Sequence, residues 1–216
     1  MDRNENFHRI SGFFILIGAV GMVIATLYHP LLVDPFNGIR AFDGYTSSNN
    51  WTTDHIGMLL AVSLWLIGLM GYPSFIINPS VKSKTASILI GVSFALWMTI
   101  LVAELTMIPI IGEKVMRVEV DETFIVWEAV FALGLLLGYV AMSVIWLAVA
   151  YFGWDLKKNN QGSTLFQYSA YIGGCLGFVG ILITFFNYEL AYFVLPLTNG
   201  IPFLWTMVLG WKMIRA

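Results

Sequence analysis

Histidines and carboxylates inside apolar segments are the residues of this chain best suited to chemistry. His29 lies near the end of one apolar segment, and His55 opens the next. Glu104 lies within a third segment, among leucine, valine and alanine, and Glu128 lies near the start of a fourth. A carboxylate in hydrocarbon costs roughly 2.5–3.5 kcal/mol on insertion scales, so it usually faces a partner, a cavity or an ion. These four residues are therefore candidates for a buried functional site.

The residue types in this set favour a metal or a haem. Neutral imidazoles with carboxylates suit zinc, iron or manganese, so His29, His55, Glu104 and Glu128 form a candidate metal site. Two facing histidines are also what an axially ligated haem requires, which makes His29 and His55 candidate ligands of haem b. No His-x-x-x-His spacing occurs. The prediction therefore rests on the depth that these residues share in the membrane.

Two further acidic residues have both a functional and an ordinary interpretation. Asp54 immediately precedes His55. It either joins the site or caps the N-terminus of a helix, with two neighbouring threonines as rivals for that role. Glu189 falls in the last connection, where it is either a site residue or a loop residue. The histidines also have an ordinary interpretation as residues exposed at the membrane interface, where a histidine costs little free energy.

Composition determines the elements that must position these residues. Of 216 residues, 58% are apolar and only 11% are charged, whereas a soluble domain carries about 25% charged residues. A membrane span takes about 20 residues, and six apolar runs fill the chain. These runs cover roughly residues 10–32, 55–77, 86–111, 124–154, 168–187 and 194–211. The sequence predicts an all-α fold: a single-domain, polytopic integral membrane helical bundle with about six transmembrane helices.

The boundary between the last two runs is the least distinct. Only residues 188–193 separate them, and a single helix through both would need a span of about 40 residues, twice the usual length. Pro196 and the stretch from Asn199 to Pro202 also oppose an unbroken helix. We therefore expect two spans joined by a tight turn.

The distribution of Lys and Arg predicts the orientation. If the N-terminus is cytoplasmic, eight of the 11 basic residues lie inside and three lie outside. The inside set is Arg3, Arg9, Lys82, Lys84, Lys157, Lys158, Lys212 and Arg215. This positive-inside bias predicts that both termini are cytoplasmic, with the plasma membrane as the location. Antiparallel threading then brings the histidines and acids to the outer leaflet, and the inner half of the bundle is expected to be an apolar scaffold.

Glycine spacing indicates close helix packing. Gly134-x-x-x-Gly138 and Gly173-x-x-x-Gly177, followed by Gly180, give small-residue faces. Such faces serve contacts within a bundle or between subunits of a homo- or hetero-oligomer. The other expected partners are the lipid bilayer and a lipid-soluble small molecule, and no nucleic acid is expected. Asn50 begins a glycosylation sequon, which matters only in a secretory-pathway host.

Three functions remain open at this point. The first is a multi-pass membrane protein with a metal or haem site near the outer leaflet, for redox chemistry, metal-assisted chemistry or sensing. The second is a small proton- or cation-coupled transporter that uses Glu104 and Glu128. The third is a non-catalytic membrane subunit or assembly partner. The chain has no P-loop, dinucleotide-binding fingerprint or nucleophile elbow, so the sequence does not decide whether the protein is an enzyme.

Overall fold

A computed structural model describes residues 3–30, 34–118 and 121–216 of the protein. Within these ranges the chain forms helices and no strand, which confirms the all-α prediction. The helices are α1 (Arg3–Tyr28), α2 (Gly38–Ser47), α3 (Trp51–Met70), α4 (Val81–Val118), α5 (Asp121–Lys158), α6 (Thr164–Phe186) and α7 (Ala191–Arg215). All except α2 are long and apolar enough to cross a membrane, so the six expected spans are present.

Several helices extend beyond the predicted runs. Helices α4 and α5 have 38 residues each, about 57 Å at 1.5 Å per residue, so they project beyond a hydrocarbon core of about 30 Å. Helix α3 begins at Trp51, four residues before the predicted start. Polar residues at helix ends lower the local hydropathy without breaking the helix, so apolar runs underestimate its length. The predicted end of the first span at residues 31 and 32 lies outside the described residues.

The last two spans separate before the prolines. Helix α6 ends at Phe186, and Asn187 has an extended backbone with φ −153°. A 3-10 turn over Tyr188–Leu190 then leads directly into α7. Pro196 and Pro202 lie inside α7, so the break falls upstream of the residues that argued for it.

The six long helices form a closed ring. Each packs against the next long helix along the chain, and α7 packs against α1 to close the ring. Consecutive spans are antiparallel, so the helix ends lie at two opposite ends of the bundle. We call the end where α1 finishes and α3 begins the distal end, and the end where α1 begins and α7 finishes the proximal end. Large rings fill the middle: Trp65 of α3 lies 6.1 Å from Trp146 of α5 and 5.3 Å from Phe203 of α7 between centroids.

Glycines allow several helices in the ring to touch through their backbones. A Cβ atom on Gly12 of α1 would lie 2.6 Å from the carbonyl oxygen of Gly210 in α7, and one on Gly210 would lie 2.9 Å from the carbonyl oxygen of Gly12. Gly173 of α6 lies against the side chain of Ile201 and the backbone of Pro202 in α7. Gly180 and Gly177 instead make room for the side chains of Thr198 and Trp146. Such approaches hold helices together in lipid, where the hydrophobic effect between them is absent.

The proximal half is not the purely apolar scaffold that the sequence suggested. Asp155 is completely buried, and one of its carboxylate oxygens accepts a hydrogen bond from the Ser80 backbone N–H at 3.4 Å. The side chain of His8 is also buried. Asp155 was expected to begin an inner loop, but α5 continues to Lys158 and carries it into the packed interface.

Candidate metal centre

The candidate site lies at the distal end, where α1, α3 and α4 meet. His29 follows the last residue of α1, and its backbone N–H still donates to Ala25 at 2.9 Å. His55 lies in the second turn of α3. The chain between these helices returns to the same end, so the centroids of the two imidazoles are 5.0 Å apart. Trp51 stacks on His55 with 4.1 Å between ring centroids and fixes that ring from one side.

Three side chains form a group with the spacing of metal ligands. His29, Asp54 and His55 each offer one ligand atom, and these atoms lie within 4.8 Å of one another. Glu104 approaches the same group from α4, with its Oε2 atom 3.3 Å from Nε2 of His55. The indole N–H of Trp51 donates to the backbone oxygen of Glu104 at 2.9 Å and ties the start of α3 to α4.

The hydrogen bonds of both histidines leave the same nitrogen free. Nδ1 of His55 lies 2.7 Å from the backbone oxygen of Trp51, and Nδ1 of His29 lies 2.8 Å from that of Pro30. A carbonyl oxygen only accepts, so Nδ1 must carry the hydrogen in each ring. In the neutral imidazole, Nε2 then holds a lone pair. A metal-bound histidine usually donates its other N–H to a carbonyl or carboxylate in this way.

Two buried polar atoms in the group have no hydrogen-bond partner. They are Nε2 of His55, in a side chain that is completely buried, and Oδ2 of Asp54. The contact from His55 to Glu104 is close enough for an ion pair but lacks the angle of a hydrogen bond. A lone pair and a carboxylate oxygen repel at 3.3 Å unless a proton or a cation lies between them. Unpaired buried polar atoms are costly, so either a proton shared between His55 and Glu104 or a bound cation would stabilise this arrangement.

Glu128 and Glu189 occupy other surroundings. The Oε1 atom of Glu128 accepts a hydrogen bond from the backbone N–H of Gly38 at 3.2 Å. This places an acid at the N-terminus of α2, where the helix dipole favours negative charge. Glu189 is exposed in the 3-10 turn before α7.

Helix α2 and the residues before it close over part of the distal end. The ring of Phe36 contacts that of Tyr188 edge to face at 5.6 Å, and the Arg40 guanidinium lies 5.7 Å from the centre of the Tyr192 ring. Tyr45 packs edge to face on Trp51 at 5.2 Å. The predicted apolar runs left residues 33–54 as a connection, so the sequence interpretation missed this helix. Its signal was the aromatic residues within the loop.

Comparison of the chain with protein-family models, with curated proteins and with solved structures gives no match. The fold defines a multi-pass membrane protein, and the distal end of its helical bundle carries a histidine and acidic group with the spacing of metal ligands.

Proposed function

We propose that the protein binds one divalent transition-metal ion at the distal end of the bundle, through His29, Asp54 and His55, with Glu104 beside them. The ion would serve metal-assisted chemistry on a molecule that enters from the membrane. The observation that carries this proposal is the shared tautomer of the two histidines, each held by a backbone carbonyl so that Nε2 is available.

Distances support an ion of the zinc type. Zinc bonds to nitrogen and oxygen ligands are about 2.0–2.2 Å long, so two ligands of a tetrahedral site lie about 3.3–3.6 Å apart. The 3.3 Å between His55 Nε2 and Glu104 Oε2 matches that edge. The 4.8 Å spread of the group of three is wider. Small side-chain rotations would bring those atoms onto an ion.

An ion is favoured over haem b. A haem bound between His29 and His55 would place a porphyrin plane between their imidazoles, and the ring centroids are only 5.0 Å apart. The carboxylate of Asp54 belongs to the same group and is a suitable ligand for a divalent ion.

A bound ion supplies Lewis acidity at this end of the bundle. It polarises a carbonyl oxygen or lowers the pKa of a bound water to about 7. The positive-inside bias supports an outer-leaflet position for the site and a plasma-membrane location for the protein.

Proton- or cation-coupled transport through Glu104 and Glu128 has less support. The rings of Trp65, Trp146 and Phe203 pack against one another in the middle of the bundle, between the distal acids and the buried Asp155. The Glu128 carboxylate is engaged at the start of α2.

The test is the metal content of protein reconstituted in nanodiscs, loaded with zinc, desalted and measured by mass spectrometry. We expect about one zinc per chain, lost in His29→Ala and His55→Ala. His8→Ala is the matched control because His8 is the remaining histidine and lies at the proximal end. Equal zinc in all four proteins would refute the proposal. A Soret absorption band in the purified protein would indicate that the site binds a haem instead of an ion.

A further inference from the structure

A cluster of basic and aromatic side chains lies on the outside of the bundle at its proximal end, where α4, α5 and α6 are neighbours. All of its members are exposed, so they face the bilayer rather than the interior of the ring. We call it the proximal patch, and it consists of Lys82 of α4, Trp154 and Lys157 of α5, and Tyr168 and Tyr171 of α6.

The aromatic rings of the proximal patch hold two lysine ammonium groups. Nζ of Lys82 lies 3.5 Å from the centre of the Trp154 ring, and Nζ of Lys157 lies 4.8 Å from that of Tyr168. The Trp154 ring in turn lies 6.0 Å from the ring of Tyr171. Residues three apart on a helix are neighbours on its surface, so these contacts form two adjacent rows across α5 and α6. Two cations are therefore positioned side by side by aromatic faces.

The protein does not neutralise these two cations. In the part of the chain that the structure describes, neither Lys82 nor Lys157 forms an ion pair with a carboxylate. Asp155, two residues before Lys157, is completely buried and accepts from the Ser80 backbone instead. An ammonium group has three donors, and an aromatic face does not satisfy all of them. The proximal patch therefore offers hydrogen-bond donors and positive charge to an anion.

The whole proximal end has the same charge balance. By sequence position it carries the eight basic residues of the inside set and three acidic residues, which are Asp2, Glu5 and Asp155. The positive-inside bias predicts that this end faces the cytoplasm, whose leaflet contains anionic phospholipids.

An apolar stripe on α6 runs from the proximal patch toward the middle of the membrane. Ile172, Leu176 and Val179 are between 43% and 50% exposed. They follow Tyr168 at spacings of three or four residues, which places them on the same face of the helix. An anion held at the patch and an acyl chain laid along this stripe can therefore belong to one molecule. This continuity favours a phospholipid over a free phosphate.

We propose that the proximal patch binds one anionic phospholipid. Its phosphate accepts hydrogen bonds from the ammonium groups of Lys82 and Lys157, which are charge-assisted and therefore strong. The tyrosine hydroxyls are further donors to the headgroup, and an acyl chain lies along the stripe of α6. The proximal patch is at the opposite end of the bundle from the metal centre, so this inference does not rest on the proposed function.

The experiment is native mass spectrometry of delipidated protein in a neutral detergent, titrated with dimyristoyl phosphatidylglycerol. Dimyristoyl phosphatidylcholine is the matched lipid, because it has the same chains and no net charge. We expect one phosphatidylglycerol per chain, bound at least tenfold more tightly than phosphatidylcholine. A tenfold excess of glycerol 3-phosphate, which has a phosphate but no chains, should leave the lipid bound.

The variant Lys82→Gln/Lys157→Gln removes both cations of the proximal patch. It should weaken phosphatidylglycerol binding about 30-fold, roughly fivefold for each lysine, and leave phosphatidylcholine binding unchanged. Lys84→Gln/Lys158→Gln is the matched control. It removes the same charge from the same two helices, and neither of these exposed lysines lies over an aromatic ring among the described residues. We expect the control to bind phosphatidylglycerol within threefold of the unmodified protein.

Three results would overturn the proposal. Equal losses in the two double variants would show that net charge, rather than the proximal patch, attracts the lipid. Equal affinity for the two lipids would show that no anionic site exists. Release of phosphatidylglycerol by glycerol 3-phosphate would assign the patch to a free phosphate instead of a lipid.

Discussion

Replacing Glu104 by glutamine tests the electrostatics of the proposed metal centre. The change keeps the shape of the side chain and removes one negative charge located 3.3 Å from the free nitrogen of His55. For an ion of charge +2 at a similar distance from this carboxylate, Coulomb's law gives about 2.5 kcal/mol, even with the dielectric constant of bulk water. This corresponds to about 70-fold in Kd. The side chain of Glu104 is only 20% exposed, so screening is weaker than in water and 70-fold is a lower bound.

The assay is calorimetric titration of the apoprotein in nanodiscs with zinc. Glu113→Gln is the matched control: Glu113 also lies on α4, is 61% exposed and pairs with Arg117 at 3.4 Å. We expect its Kd to stay within threefold of the unmodified protein. A Glu104→Gln protein that also binds zinc within threefold would refute the assignment of Glu104 to the ion's surroundings.

Three further predictions concern the ring, the distal segment and alkaline pH. Gly12→Val puts atoms into the α7 backbone and should destabilise the fold by about 2 kcal/mol, seen as a lower unfolding temperature in detergent. Gly200→Val should leave the unfolding temperature almost unchanged, because a Cβ atom at Gly200 meets nothing within 4 Å. Glu128→Ala leaves the first N–H of α2 unpaired and should speed its hydrogen exchange about fivefold, while zinc affinity stays within threefold. Burial, followed by the charge of Glu113, raises the pKa of Tyr45. The protonated Tyr45 side chain contributes its full stability to the fold below pH 10, and this stability is lost as pH rises through the raised pKa. The Tyr45→Phe protein has no phenol to ionise, so its free energy of unfolding should fall less steeply at alkaline pH.

Apolar patterning was sufficient to predict the number and type of the spans. Each run of about 20 apolar residues has no stable alternative to a helix in lipid, because every backbone polar group must be paired within the segment. Helix ends were harder to predict. Asp155 and the lysines that follow it resemble a loop in composition, yet the structure places them on the last turn of α5. Helix packing at that end, which hydropathy does not encode, buries the Asp155 carboxylate.

For the candidate site, the sequence predicted how deep in the membrane each residue lies but not which residues are its neighbours. His29, His55, Glu104 and Glu128 could all be assigned to one leaflet from their positions in the runs. Which of them face one another depends on the ring order and on side-chain direction. Glu128 contacts α2, an element that the sequence interpretation did not contain, so its partner could not be predicted. The open space beside Gly138 was hidden for a similar reason, because the same glycine spacing is compatible with close packing and with open space.

The closed ring has a consequence for biosynthesis. Apart from α7 and α1, the neighbouring helices in the ring are spans that follow one another along the chain. Each hairpin of spans can pack as soon as its second helix has entered the bilayer, so most of the bundle forms in the order of translation. The reciprocal glycine contact of α1 with α7 must wait until the last span has been inserted. Until then the flank of α1 that meets α7 remains open to lipid, and a chain that stops before α7 would be an open arc of five spans exposed to quality control.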